Sequence, residues 1–379
     1  MKRNKKNHKK YNRVFMSTPT EYSVIFVVLF LVVFGIIMVY SSSFYSSVSD
    51  DALEPYMKQT IYAVVGLIIM MIISRVQITF MNKFVVLGYL TTVFLLVAVL
   101  FVADNVKGAK RWIEIGNFNL QPSELAKFTI IVTLALFLTM FKKHLSEPKV
   151  LGLLGVIVLI PLALIAKEDL STAVVFLAIC GAMLFVAYRH IIKLFVFAIM
   201  LLVMSSGFVL LSSYRMGRIK TYLEGPWSDP EGVGRQIIQS LYAIGSGGLT
   251  GIGLGQSMQK MGYISEAHND IIFAVICEEL GLLGGVAIIG LYMVLIYRIA
   301  QISITAKSME HYLIGVGVMT HIGIQAFINI GVAINLIPTT GMPLPFISYG
   351  GASIIMLLAE IGLVLNIARH NYIEAMIGE

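Results

Sequence analysis

An all-α integral membrane protein with about ten transmembrane helices is the fold class this sequence predicts, on three observations. Of its 379 residues, 58% are hydrophobic, and the mean hydropathy is +0.85. Only 13% are charged, about half the share a soluble domain carries. The apolar residues also fall in runs of about 20, the length that crosses the hydrocarbon core as a helix. Lipid offers no partner for a backbone N–H or C=O, so each crossing segment must bond its own backbone, and helices are expected throughout.

The chain opens on a basic tail, residues 1–21. Lys2, Arg3, Lys5, Lys6, Lys9, Lys10 and Arg13 match the whole formal net charge of +7, leaving the remainder close to neutral. A basic segment ahead of the first span places the N-terminus in the cytoplasm and can touch anionic lipid head groups. No aromatic side chains interleave with a basic patch, so nucleic acid is not an expected partner. Ten spans follow, at 22–40, 57–73, 84–103, 124–141, 150–166, 171–188, 191–211, 271–297, 312–337 and 350–368. The first is too long for the apolar core of a removable signal, and the serine-rich stretch after it lacks a cleavage pattern. Cys180 and Cys277 both sit in apolar runs, with neither disulfide nor metal-ligand spacing.

Charge sets the orientation. The loops 74–83, 142–149, 189–190 and 298–311 carry Arg75, Lys83, Lys142, Lys143, Lys149, Arg189, Arg298 and Lys307, which assigns them to the cytoplasm with the tail 371–379. The first outer loop carries Asp50, Asp51 and Glu54. Two outer loops run against this bias. Loop 104–123 holds Lys107, Lys110, Arg111 and Trp112; loop 212–270 holds Arg215, Arg218, Lys220, Arg235 and Lys260. Basic residues on the outer side suit an anionic ligand, or else simply face solvent and lipid phosphate. Within the longer loop, 235–244 suits a short amphipathic helix with Gln236 and Gln239 on one face. The stretch 246–255 packs five glycines, which suits tight turns and close backbone approach. It has no phosphate-loop or dinucleotide context.

The candidate site centres on Asp270, placed where the long outer loop enters the eighth span. A carboxylate there can serve as a base, stabilised by the helix N-terminus, with His268 and Asn269 beside it. The alternative role is an N-cap for that helix. Glu278, Glu279 and Glu360 lie within apolar spans, where a carboxylate is costly, and read as hydrogen-bonded structural groups facing other helices. Glu124 and Lys127 stand three apart at the outer start of the fourth span, either as a structural pair or as a polar wall next to Asp270. The Gln121-Pro-Ser-Glu124 sequence reads as a helix start. Lys167 and Asp169 form a second candidate pair, in the turn between spans five and six. Pro338, Pro343 and Pro345, with Gly341, Gly350 and Gly351, predict a rigid re-entrant connection before the last span. Such backbone at membrane depth must line protein or a cavity.

Five motifs carry a resemblance: Lys107-Gly-Ala-Lys-Arg-Trp-Ile113, Gln121-Pro-Ser-Glu-Leu-Ala-Lys127, Gly251-x-Gly-x-Gly255, the run 266–281 beginning Glu-Ala-His-Asn-Asp, and the Pro/Gly segment 338–351. Together, over roughly 22–370, the chain resembles the SEDS family of shape, elongation, division and sporulation proteins, closer to its division and sporulation branch than to the rod-elongation branch. The resemblance implies a ten-span peptidoglycan glycosyltransferase that polymerises lipid II on the outer face of the cell membrane. It implies a class B penicillin-binding protein as partner, with other divisome or sporulation membrane proteins. It places the family's essential outer aspartate on Asp270, its basic segment on Lys107–Trp112, its acid/lysine pair on Glu124 and Lys127, its loop arginines on Arg215 and Arg218, and its loop glutamine on Gln236. Two departures stand out: Lys167-Glu-Asp-Leu-Ser-Thr172 keeps Asp169 and Leu170 but loses a proline and a glycine, and Ser265 replaces a proline.

The chemistry then expected is attack of a sugar 4-hydroxyl on an anomeric carbon bearing diphosphate. Asp270 acts as base, and Lys110, Arg111, Arg215 and Arg218 stabilise the leaving diphosphate. The prenyl tail would lie in a groove between helices. No two-carboxylate metal motif is visible, although a divalent cation (Mg or Mn) could share the leaving-group role. Two other functions fit the same residues: a flippase for the lipid-linked precursor, which the polar residues and breaks within spans would suit, and a scaffold that only positions the penicillin-binding protein.

Overall fold

The computed structural model describes residues 19–43, 54–103, 110–116, 118–145, 147–188, 213–257 and 269–378. Lys107, His268 and the expected span 191–211 lie outside them. The helices are α1 (Pro19–Ser43), α2 (Glu54–Arg75), the short α3 (Ile78–Met81) leading through a 3-10 turn into α4 (Val85–Val102), α5 (Pro122–Met140), α6 (Pro148–Glu168), α7 (Leu170–Ala187), α8 (Ser213–Glu224), α9 (Val233–Gly247), α10 (Ile272–Ile304), α11 (Met309–Ala333) and α12 (Gly351–Gly378). Among the described residues, nine helices are long and apolar enough to cross a membrane. The bonds of Lys110 to Leu100 and Glu168, of Arg111 to Asp169 and of Asn329 to Asp270 bring the ends of α4, α6 and α11 and the starts of α7 and α10 to one end of the bundle.

The span edges differ from the sequence reading for local reasons. The helix expected at 312–337 is α11, which starts earlier, with Glu310 in its first turn, and stops at Ala333, because Asn335 takes a left-handed φ of 57°. The last helix runs on to Gly378, past the expected end at 368. Helix α5 starts as expected at a proline, Pro122 at its first position with Glu124 in the first turn, but Gln121 is the residue that precedes it as N-cap.

Three helices form the interior. Helices α5, α11 and α12 are mostly buried, whereas α2, α4, α6 and much of α10 show apolar side chains outward. Phe94 is 69% exposed and Phe101 80% exposed. A continuous apolar surface of this kind would be an association patch in water; against lipid tails it is the matching solvent. This is a multi-pass membrane protein.

Loop 104–123 contains an antiparallel hairpin, β1 (Ile113–Ile115) and β2 (Phe118–Leu120), with Ile113 opposite Leu120 and Ile115 opposite Phe118. The expected amphipathic helix is present as α9, longer by a few residues at each end. Its buried face carries Ile237, Ser240 and Ala243, and Ser240 Oγ donates to the Ala333 carbonyl at 2.7 Å.

The glycine-rich segment after α9 docks on a break in α10. Gly281 sits inside that helix at φ 70°, so two helical hydrogen bonds are lost there. Ile252 N and Gly253 N take the Glu278 and Glu279 carbonyls, both at 3.0 Å. Leu282 N and Leu283 N donate to the Gly248 and Leu249 carbonyls at 2.9 and 3.2 Å. The segment thus replaces what the helix gives up. Glu278 and Glu279, each 1% exposed, complete this joint: Ser257 donates to Glu278, and Ser41 Oγ donates to Glu279 Oε1 at 2.7 Å. Both carboxylates thus face neighbouring segments of the chain.

Candidate active site

The expected re-entrant connection is the framework of the site. Residues 334–350 contain no helix, yet Leu344, Phe346 and Ile347 are buried. Side chains from α11 and α2 hold its backbone. Gln325 Nε2 donates to the Pro343 carbonyl at 3.0 Å, and Asn329 Nδ2 to the Met342 carbonyl at 2.7 Å. Gln59 reaches from α2 to donate to the Ser348 carbonyl at 3.1 Å and to accept from Gly350 N at 3.2 Å.

Asp270 lies in the turn immediately before α10, half-buried; the N-cap position itself is Ile271. A methyl group built on Gly341 would stand 3.5 Å from Asp270 Oδ2 and 3.7 Å from Arg111 Nη1. The carboxylate and the guanidinium therefore converge on one point of the re-entrant segment. Arg111 reaches it from the segment just before the hairpin. Its Nη1 lies 3.3 Å from Asp169 Oδ2, and its Nη2 donates to the Glu168 carbonyl at 3.3 Å. Asp169 thus faces Arg111, where the sequence suggested the neighbouring Lys167. Its other oxygen caps α7 by accepting from Thr172 N at 3.1 Å. Arg218, on α8, donates from Nη1 to the Thr339 carbonyl at 3.2 Å, two residues from Gly341. Arg111 Nε and the Thr339 and Thr340 hydroxyls are buried and make no hydrogen bond among the described residues.

Other expected residues are placed differently. Lys110 is held away from Asp270: its amide donates to Glu168 Oε2 at 2.9 Å and its Nζ to the Leu100 carbonyl at 3.2 Å. Trp112 and Gln236 are half-buried. Arg215 belongs to α8, with its side chain outside the described set. Asn269 adjoins Asp270, and its carbonyl accepts from Ser348 Oγ at 2.7 Å.

Behind the site runs a buried polar chain. Lys127 Nζ pairs with Glu124 Oε1 at 2.8 Å and donates to Gln325 Oε1 at 2.9 Å. His321 Nε2 meets the same Gln325 oxygen at 2.9 Å, while its Nδ1 faces Glu360 at 2.8 Å. A lysine can only donate, so Gln325 presents its oxygen to both neighbours and its amide to Pro343. His321 Nε2 must then carry a proton, and one further proton lies between Nδ1 and Glu360. Sequence reasoning named Glu124, Lys127 and Glu360 but missed His321, Gln325, Asn329, Ser348 and Gln59. A signal existed for three of them: 321, 325 and 329 recur at one helical turn within an apolar span.

An apolar cavity of about 540 Å³ opens between α4 and α5, lined by Phe84, Leu87, Leu125, Phe128 and Thr129. Leu125 lines it toward the start of α5, and Ile73, Val76, Phe80 and Met81 line it on the side of the loop 74–83. Among the described residues no group of three or more His, Cys, Asp and Glu is arranged to hold a metal ion. A single carboxylate such as Asp270 would hold Mg or Mn together with phosphate oxygens of a substrate and waters.

Comparison with known proteins adds a separate line. A family model described as cell cycle protein, covering FtsW, RodA and SpoVE, matches residues 22–373. Stage V sporulation protein E of Bacillus subtilis is 38% identical over 360 residues, spanning 93% of this chain and 98% of the relative. The probable peptidoglycan glycosyltransferase FtsW of Coxiella burnetii is 36% identical over 362 residues, 91% and 95% of the two chains. A solved chain, from work on how polymerization and crosslinking are coordinated by a peptidoglycan synthase complex, superposes with a TM-score of 0.76 at 27% identity, covering 93% of this chain and 98% of that one.

Proposed function

This chain belongs to the cell cycle protein family of FtsW, RodA and SpoVE, and from that premise we propose that it is a peptidoglycan glycosyltransferase polymerising lipid II, with Asp270 as its general base. The observation that carries the assignment is the convergence of Asp270 Oδ2 and Arg111 Nη1 beside Gly341. A base and a fixed cation facing one point is what the reaction needs.

The 4-hydroxyl of one sugar attacks the anomeric carbon of the other, and the bond from that carbon to the diphosphate oxygen breaks. Asp270 takes the hydroxyl proton as the new bond forms. Charge grows on the leaving diphosphate, where Arg111 stabilises it from a position already fixed by Asp169 and the Glu168 carbonyl. Arg218, held at Thr339, supplies a second cation; Lys107 and Arg215 complete the expected basic set, with Lys110 turned aside in this conformation. The unsatisfied Arg111 Nε and Thr339 and Thr340 hydroxyls suit a polar ligand. The prenyl chain takes the apolar cavity between α4 and α5. The Asp270 end of the bundle faces the outside of the cell membrane, where lipid II is presented, and the partner is a class B penicillin-binding protein that crosslinks the new strands.

Asp270→Asn keeps the shape of the side chain and removes the base. In membranes carrying the chain and its partner, it should abolish glycan synthesis from lipid II while the melting temperature holds. Undiminished polymerisation would overturn the assignment. Lipid II translocation that proceeds without any glycosidic bond in the unsubstituted protein would replace it with the flippase reading.

A further inference from the structure

Two side chains that touch no reacting group in the proposed reaction determine where Asp270 points. In a regular helix the Asp270 carbonyl would accept from Ala274 N. Here Ala274 N donates instead to the Ile271 carbonyl at 2.9 Å, which leaves the Asp270 carbonyl for another donor. Asn329 supplies it. Its amide nitrogen, on a side chain only 1% exposed, donates to the Asp270 carbonyl at 2.9 Å and to the Met342 carbonyl at 2.7 Å. Both of its hydrogens are therefore in use. One residue earlier, the Asn269 carbonyl accepts from Ser348 Oγ at 2.7 Å, and that hydroxyl accepts from Leu344 N at 2.7 Å.

The two held carbonyls belong to the two peptide planes that flank the Asp270 Cα. A peptide unit is rigid and planar, so fixing one carbonyl on each side fixes φ and ψ at Asp270. The direction of its Cα–Cβ bond follows. Both donors are themselves tied to the re-entrant segment that carries Gly341, the point facing Arg111. The carboxylate and its reference frame are thus held by the same pair.

We infer that Asn329 and Ser348 are positioning residues for Asp270, setting its carboxylate against Arg111 by clamping the peptide units on either side of it. This rests on the reading of Asp270 as the base. Displacing a reacting group by about 1 Å can cost about 100-fold in rate, so loss of either clamp should appear in turnover before it appears in substrate binding.

The test uses the full chain copurified with its cognate class B penicillin-binding protein, assayed for lipid II polymerisation with kcat and KM measured separately. Asn329→Ala and Ser348→Ala should each lower kcat by about 100-fold, with KM for lipid II nearly unchanged. Ser348→Thr keeps the hydroxyl and should restore most of the turnover. Asn329→Asp has almost the same shape but sets an acceptor against two carbonyls, and should behave like the alanine variant. Each variant is also melted, so that activity is referred to folded protein. The inference fails if kcat per folded molecule stays at the unsubstituted level, if KM carries the loss, or if threonine at 348 rescues nothing. Asp270→Asn, run alongside, separates the two claims: if it is inactive while the Asn329 and Ser348 variants turn over normally, only the positioning claim falls, and if it is active the base assignment falls first.

Discussion

At the scale of single residues, Asp169 shows how one carboxylate can serve two tasks. Oδ1 accepts from Thr172 N and so caps α7; Oδ2 holds Arg111. The two tasks separate by substitution. Asp169→Asn retains a carbonyl oxygen for the cap but offers an amide, or a neutral oxygen, to the guanidinium. Asp169→Ala loses both, and loss of an N-cap side chain costs about 0.5–2 kcal/mol. The alanine variant should therefore melt below the asparagine variant, while both lose polymerisation to a similar degree because Arg111 is released in each. Equal melting temperatures would show that the cap contributes nothing; full activity in either variant would show that Arg111 needs no such support. The same residue marks what sequence could say. Acid beside base in a tight turn was legible at Lys167 and Asp169, but Arg111 lies 58 positions earlier, and such a pairing is created only when the ends of α4 and α6 and the start of α7 come together. Asn329 and Ser348 are hidden for the same reason: their partners are main-chain carbonyls, which carry no identity in a sequence.

At the scale of elements, the legible features were those written in local chemistry. Runs of apolar residues marked the spans, and the prolines and glycines of 338–351 marked a non-helical connection, because both rest on what a short stretch of chain can do alone. The hairpin was also written locally and was passed over: Ile113-Glu-Ile-Gly-Asn-Phe-Asn-Leu120 alternates about a Gly-Asn turn, and Gly116 takes φ 61° there. The glycine-rich segment was legible as close backbone approach, but not what it approaches, since the break at Gly281 lies far along the chain. Its mechanism is specific. In lipid an unbonded backbone group costs several kcal/mol, and the segment's amides and carbonyls replace those of the broken α10 turn. A methyl on Gly251, which sits at φ 80°, would overlap the Glu279 carbonyl. Gly251→Ala should therefore lower the melting temperature sharply, through both the left-handed backbone, about 1–3 kcal/mol, and the displaced ladder. Gly290 in the same helix has open space around it, so Gly290→Ala should be neutral or slightly stabilising. If the two melt alike, the segment is not the brace of α10.

At the scale of the whole molecule, the interior and the ends answer to different forces. Inside, α5, α11 and α12 are joined by Lys127, Gln325, His321 and Glu360, each bonded to the next, with Lys127 also paired to Glu124. A buried ion pair of this kind adds little net stability but makes loss of one partner costly, so it specifies one packing of the three helices. At the ends, charge decides which way the bundle sits. The loops rich in Lys and Arg predict a cytoplasmic side for residues 305–308, as the proposed function requires, and α11, 25 residues and so about 37 Å long, carries the chain from there to Ala333. Beside that far end lies α8, through Tyr222 to the Leu336 carbonyl and Arg218 to the Thr339 carbonyl, with Asp270 in the same cluster. The orientation can be read with thiols, because Cys180 and Cys277 are buried, at 1% and 4% exposure, and should stay silent toward a membrane-impermeant maleimide. Glu231 and Lys307 are exposed. In intact spheroplasts Glu231→Cys should label without permeabilisation and Lys307→Cys only after it. The reverse pattern would put Asp270 on the nucleotide side of the membrane, and a polymerase fed by lipid II from outside could not work from there.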